Sequence, residues 1–168
     1  MAILPDPRLR PATGAVGAWA NMEECNSFTG FAESEFGYGI PLSFGTAAPG
    51  PRGADMYVKP LVTGGVFCGV SLTNINPTGT AVNGQDRYGV GDLLGVADEG
   101  VMFVRAGASV TKGAKPFYDP ATGLWHGATA AGRLPIPGAR FDDAAASGEP
   151  VALKFRVDPG AAAVTAAS

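Results

Sequence analysis

The chain predicts an all-β fold: a small β-barrel or sandwich with long loops and an extended N-terminal arm. Three observations carry this. Glycine and proline, at 25 and 14 of 168 residues, are spread without a period, which suits short strands joined by many turns. Charged residues make up only 16%, too few for long solvated helices, while 46% apolar residues are enough for a packed core. "PVALKFRV" sets Val151, Leu153, Phe155 and Val157 against Ala152, Lys154 and Arg156, a period of two with one face buried and one wet.

The elements follow in order. Residues 1–20 read as an arm, because Pro5, Pro7 and Pro11 block both helix and ladder pairing while Gly14 and Gly17 loosen the rest. The β domain spans 21–157. Within it "ANMEECNSF" is a short helical candidate. "GIPLSFG" is a strand, and "MYVKPLV" is another that Pro60 confines to an edge or bulge. "GVFCGVSL" gives a buried strand from Val66 to Leu72, and "GVMFVRAG" an apolar one from Val101 to Arg105. Residues 46–55 and 73–92 are rich in turn formers, and loops of that length contact something or move. "DDAAASG" is a second short helical candidate. The small-residue tail 158–168, "PGAAAVTAAS" at its end, is expected to fray.

The net charge of −3 and the scattered basic residues argue against direct nucleic-acid binding. The richest apolar run, "VTGGVFCGV", is too short to span a membrane, and "MAILPDPRLRP" lacks the features of a signal peptide. Synthesis in a cytoplasm, without processing, is therefore expected. In that compartment two free thiols are expected at Cys25 and Cys68, although their spacing leaves a disulfide open.

The stretch "SVTKGAKPFYDPATGLWH" (109–126) holds the only histidine and is the place to look for chemistry. Every residue there is explained by a β-hairpin. Asp119 opens the turn with a carboxylate that can accept backbone N–H groups, Pro120 presets the next φ, and Gly123 can take φ > 0. The flanks then place Phe117, Tyr118, Leu124 and Trp125 in cross-strand contact. His126 has no nominated nucleophile or metal partner, so an exposed or half-buried lone histidine is expected. "YGVGDLLG" lacks the Gly-Lys-Ser/Thr ending of a phosphate loop and reads as turn glycines. The pairs Glu23-Glu24, Asp98-Glu99 and Asp142-Asp143 read as solvated turns. No catalytic residue, cofactor site or metal site is nominated, and enzyme activity is not expected.

"GASVTKGAKPFYDPATG", from Gly107 to Gly123, resembles a signature of the tailed-bacteriophage capsid cement (head decoration) protein family. The matching positions are Gly107, Val110, Gly113, Phe117-Tyr118, Asp119 and Thr122-Gly123. "GIPLSFGT" after Asn26-Ser27 to Ala32-Glu33, "GVFCGVSLTN" before the Gly-rich "YGVGDLLGVADEGVMFVRAG", and "IPGARFDDAAASGEPVALKF" resemble further family segments in the expected order. The loop "TNINPTGTAVNGQD" is longer than that pattern, and the arm has no matching motif.

The resemblance implies a structural virion protein with no cofactor. It would be made in the host cytoplasm and bind the outside of the expanded capsid at junctions between major capsid protein subunits. It also implies self-association, with a homotrimer favoured and a dimer as the alternative. For the arm, Ile3, Leu4, Pro5, Arg8, Leu9, Arg10 and Trp19 are the expected capsid contacts. A carbohydrate- or receptor-binding β domain on a virion surface is the competing reading. It requires aromatics from the set Trp19, Tyr38, Tyr57, Tyr88 and Trp125 on one exposed face, where the core is the preferred placement for most of them.

Overall fold

A computed structural model describes residues 15–21, 24–46, 56–74, 78–82 and 86–168. Strands and turns account for their regular structure, and no helix occurs among them. In chain order the strands are β1 (Asn26–Ala32), β2 (Pro41–Phe44), β3 (Tyr57–Pro60), β4 (Phe67–Ser71) and β5 (Leu93–Arg105). They continue as β6 (Phe117–Asp119), β7 (Leu124–His126), β8 (Leu134–Pro135), β9 (Ala139–Phe141) and β10 (Pro150–Arg156).

The hydrogen-bonded order β1-β3-β2-β4-β5 closes on itself because β1 also pairs with β5, through Phe31 opposite Leu93 and Phe28 opposite Val96. Closure removes the edges that an open five-stranded sheet would leave unpaired. Pro60 is tolerated as the last residue of its strand, because the next bond to β2 is made by the Leu61 N–H, which donates to Pro41 C=O (2.8 Å).

β5 is 13 residues long and serves two layers. Its first half completes the barrel, with Val70 and Ser71 of β4 opposite Ala97 and Val96. Its second half pairs with β10 from Glu99–Arg156 to Arg105–Pro150, and β9 lies beyond β10. Asp98-Glu99, expected as a solvated turn, lies inside β5 where its partner changes from β4 to β10. On the opposite edge the segment before β1 continues the ladder. Gly17 N–H donates to Phe103 C=O (2.8 Å), Phe103 N–H to Ala18 C=O (2.9 Å), and Ala20 N–H to Val101 C=O (2.8 Å). Residues 17–20 thus belong to the β domain.

Two cores result. Ala32, Leu42, Val58, Cys68, Leu94 and Val96 fill the barrel, with Phe36 and Tyr88 among them. Met102, Val104, Phe141, Val151, Leu153 and Phe155 build the second core, which extends to Tyr118, Trp125 and Leu134 of the three-stranded sheet β7-β6-β8.

Both helical candidates are corrected. "ANMEECNSF" runs into β1, whose first three residues are Asn26, Ser27 and Phe28. "DDAAASG" is a turn held by local bonds, Ala144 N–H to Asp143 Oδ1 (2.8 Å) and Ala146 N–H to Glu149 Oε2 (2.9 Å). Short polar side chains that satisfy nearby backbone groups compete with helix formation there. The tail is also not loose. Val164 is buried, its N–H donates to Gly65 C=O (2.8 Å), and Ala167 N–H donates to Arg133 C=O (2.8 Å).

Gly100 sits at the point where β5 is clamped from both sides, with φ 140°. A Cβ there would lie 2.5 Å from Cζ3 of Trp19, so the absent side chain is what lets the indole close over the strand. Gly100→Ala should destabilise the protein by about 2–3 kcal/mol in urea unfolding, through the strained φ and overpacking. Gly37→Ala, where a Cβ would meet nothing within 4 Å, should change stability by less than about 0.5 kcal/mol.

Candidate functional site

The hairpin forms as the sequence dictates. Phe117, Tyr118 and Asp119 pair with His126, Trp125 and Leu124. Asp119 Oδ1 accepts the Ala121 N–H (2.9 Å), and Gly123 takes φ 73° with its N–H on Asp119 C=O (2.9 Å). Pro120 occupies the turn between them. The hairpin is a structural buttress. Trp125 is fully buried, its Nε1–H donates to Gly39 C=O (2.9 Å), and its ring lies 5.5 Å from that of Tyr118. This one bond ties the hairpin to the chain entering β2, a link across 86 positions of sequence.

His126 differs from expectation: it is 6% exposed. Neither ring nitrogen has a hydrogen-bond partner among the described residues. Gly107 makes room for the ring, since a Cβ there would lie 2.6 Å from Nε2. Burial holds the imidazole below its usual range, and the Arg133 charge adds to this against the opposing pull of Asp119. No group of three or more His, Cys, Asp or Glu able to hold a metal exists among the described residues. Cys25 and Cys68 are both free, and burial pushes the Cys68 thiol up to about 12, leaving it un-ionised and unreactive at neutral pH.

The surface features are more informative. One end of the barrel is plugged by the described part of the 73–92 loop. Tyr88 is fully buried there, its hydroxyl donating to Leu72 C=O (2.6 Å) and its ring 5.5 Å from Phe36 and 5.3 Å from Tyr38. Asp92 anchors this loop by accepting Thr78 N–H (2.8 Å), Thr78 Oγ1–H (2.5 Å) and Gly89 N–H (2.8 Å). Burial raises the pKa of its carboxyl, but these three bonds outweigh that and bring it below the usual carboxylate range.

The other end carries exposed apolar side chains. Phe44 is 51% exposed and stacks on Phe28 at 6.2 Å, and Met56 and Val66 are also exposed. Outside the barrel, Tyr57, Phe31 and Leu93 are aligned across three adjacent strands, with Leu93 56% exposed. Sequence reasoning missed both features, because each is assembled from several strands that lie apart in the chain.

A cleft of about 370 Å³ lies on the outer side of β10, lined by Glu24, Glu99, Arg140, Lys154 and Arg156. Glu99 is engaged by Arg156 at 3.4 Å. A larger groove of about 710 Å³ separates the barrel from the hairpin turn, with Ala15 and Val16 at its wall beside Tyr38 and Pro120.

The candidate arm residues divide. Ile3, Leu4, Pro5, Arg8, Leu9 and Arg10 lie outside the described residues. Trp19 is in the ladder opposite Met102 and packs, half-buried, on the second core. Of the five aromatics a sugar platform would need, Tyr88 and Trp125 are fully buried.

The buried histidine makes a signed prediction. Its folded-state pKa is depressed, so the neutral imidazole belongs to the fold and its contribution is complete above about pH 6.5. Stability should fall as pH drops below that value toward the depressed pKa. His126→Gln should flatten this part of the profile in urea unfolding measured from pH 8 to pH 5.

Among solved structures, the fold is similar to the capsid of Myoviridae phage XM1, with a TM-score of 0.61 and 15% identity, covering 92% of this chain and 95% of that one. The head fibre gp8.5 N base of bacteriophage phi29 aligns with a TM-score of 0.46 and 16% identity, covering 78% of this chain and 93% of that one. No curated protein sequence matches the chain. Residues 7–156 match the family described as structural cement protein (E217 gp24/Pam3 gp6), and on that match the chain belongs to the phage structural cement protein family, whose role is structural and associated with the capsid.

Proposed function

We propose that the protein binds the outer surface of the expanded phage capsid and stabilises it at junctions between major capsid protein subunits, without catalysis. The observation that carries this reading is the family match over 7–156. The physical chemistry supports it. A closed barrel with a docked hairpin is a rigid body, so little ordering entropy opposes docking. The apolar barrel mouth around Phe44, Phe28 and Met56 supplies aromatic and Met side chains of the kind enriched in interface cores.

The arm residues Ile3, Leu4, Pro5, Arg8, Leu9 and Arg10 reach across a subunit junction in this proposal, their prolines limiting the entropy lost on docking. A homotrimer, or alternatively a dimer, multiplies weak contacts through effective concentration. The protein is made in the host cytoplasm and ends on the capsid exterior. The sugar-platform reading loses ground because Trp19, Tyr38 and Tyr57 occupy separate settings: against Gly100, against Tyr88 and beside Phe31.

Co-sedimentation with expanded capsids that lack the protein tests the reading. Saturable binding at a fixed ratio to the major capsid protein is expected, and absence of binding would overturn it. Deleting residues 1–14 should weaken that binding by about tenfold or more, the loss expected when one of two linked contacts is removed. Unchanged affinity would remove the arm from the interface. Phe44→Asp should likewise lower affinity about tenfold or more, by placing a charge in an apolar contact, while leaving the barrel folded.

A further inference from the structure

We infer that the outer face of β9 and β10 is a docking surface for an acidic segment of the partner, built around Arg140 and Lys154. This deepens the capsid reading and rests on it: the partner is the capsid surface, and the chemistry that recognises this face is a run of carboxylates.

Lys154 on β10 lies directly opposite Arg140 on β9. Both alternate with buried neighbours, Leu153 and Phe155 on one strand and Phe141 on the other, so both project from the same outer face. Like charges placed directly opposite across antiparallel strands are destabilising, and reversing the charge at one of the two positions would relieve the repulsion. Neither cation has a hydrogen-bond or ion-pair partner among the described residues. In the same cleft Arg156 is matched by Glu99 at 3.4 Å, so a pairing solution is used one step along the strand and withheld at Arg140 and Lys154.

The chain as a whole is acidic, with a net charge of −3. A confined cationic row on such a surface has directional value. It steers an acidic partner and fixes its register, and it disfavours basic partners. The cleft of about 370 Å³ beside Phe155 and Ala139 is large enough to accept side chains and not only a surface contact.

The test uses R140E, which turns the repulsive cross-strand pair into an attractive one. A residue with a merely structural role would show matched effects on folding and binding, whereas this account requires opposite signs. The unfolding midpoint should rise by about 1–4 °C, while affinity for expanded capsids falls about three- to tenfold. Wild-type binding should weaken as salt is raised from 50 to 500 mM, and R140E binding should respond less. In parallel, free protein is titrated with poly-L-glutamate at 50 mM salt and followed by NMR. Shifts confined to 139–141 and 153–156, lost in R140E, are expected. A raised midpoint with unchanged capsid affinity would overturn the inference, as would absence of poly-L-glutamate shifts at this face. If wild-type protein engages poly-L-glutamate here but does not bind capsids, the acidic-partner inference stands and the capsid reading falls.

Discussion

Everything in this molecule is hung on β5. Five strands close into a barrel only because β1 returns to pair with its first half, and the second layer exists only because its other half carries β10. The change of partner at Asp98-Glu99 requires the strand to be covered on both edges within a few residues. Gly100 makes that possible by leaving room for the Trp19 ring against it. Barrel, second layer and residues 17–20 therefore share one strand, and a load applied to any of them is transmitted through backbone hydrogen bonds as well as side-chain contacts.

That architecture suits a protein whose proposed task is to resist deformation. A closed barrel has no free edge to slip or recruit another strand. The hairpin, often the loosest part of a small β domain, is fixed by the buried Trp125 and its bond to Gly39, and the tail is fixed through Val164. At its surface the fold leaves three features without a partner: an apolar barrel end, an aligned row of Tyr57, Phe31 and Leu93, and two opposed cations. These are the places where a rigid module has something to gain from a partner.

The local elements were legible in the sequence. The period of two in "PVALKFRV" is β10, the Asp-Pro-x-x-Gly turn is the β6–β7 hairpin, and the apolar runs around Phe67 and Val101 are strands. The errors have a common cause. β1 lacks a clean alternation, because Thr29 and Gly30 interrupt it and the preceding Glu-Glu-Cys looks helical, yet barrel closure holds it as a strand. The first half of β5 contains Gly95, Asp98 and Glu99, which locally spell a turn and are overridden by ladders on both sides. His126 is buried by contacts with Gly107, distant in sequence, and the tail by loops near Gly65 and Arg133. The opposition of Arg140 and Lys154 is likewise a fact of register that neither strand reveals by itself.

The central claim is that this fold makes an assembled shell harder to break. Scanning calorimetry of expanded capsids, with and without saturating amounts of the protein, tests it most directly. The account predicts that the capsid transition moves to higher temperature in proportion to occupancy, as linkage to a ligand of the assembled state requires. A capsid transition unmoved at full occupancy would show a decoration that binds without cementing, and would contradict the account.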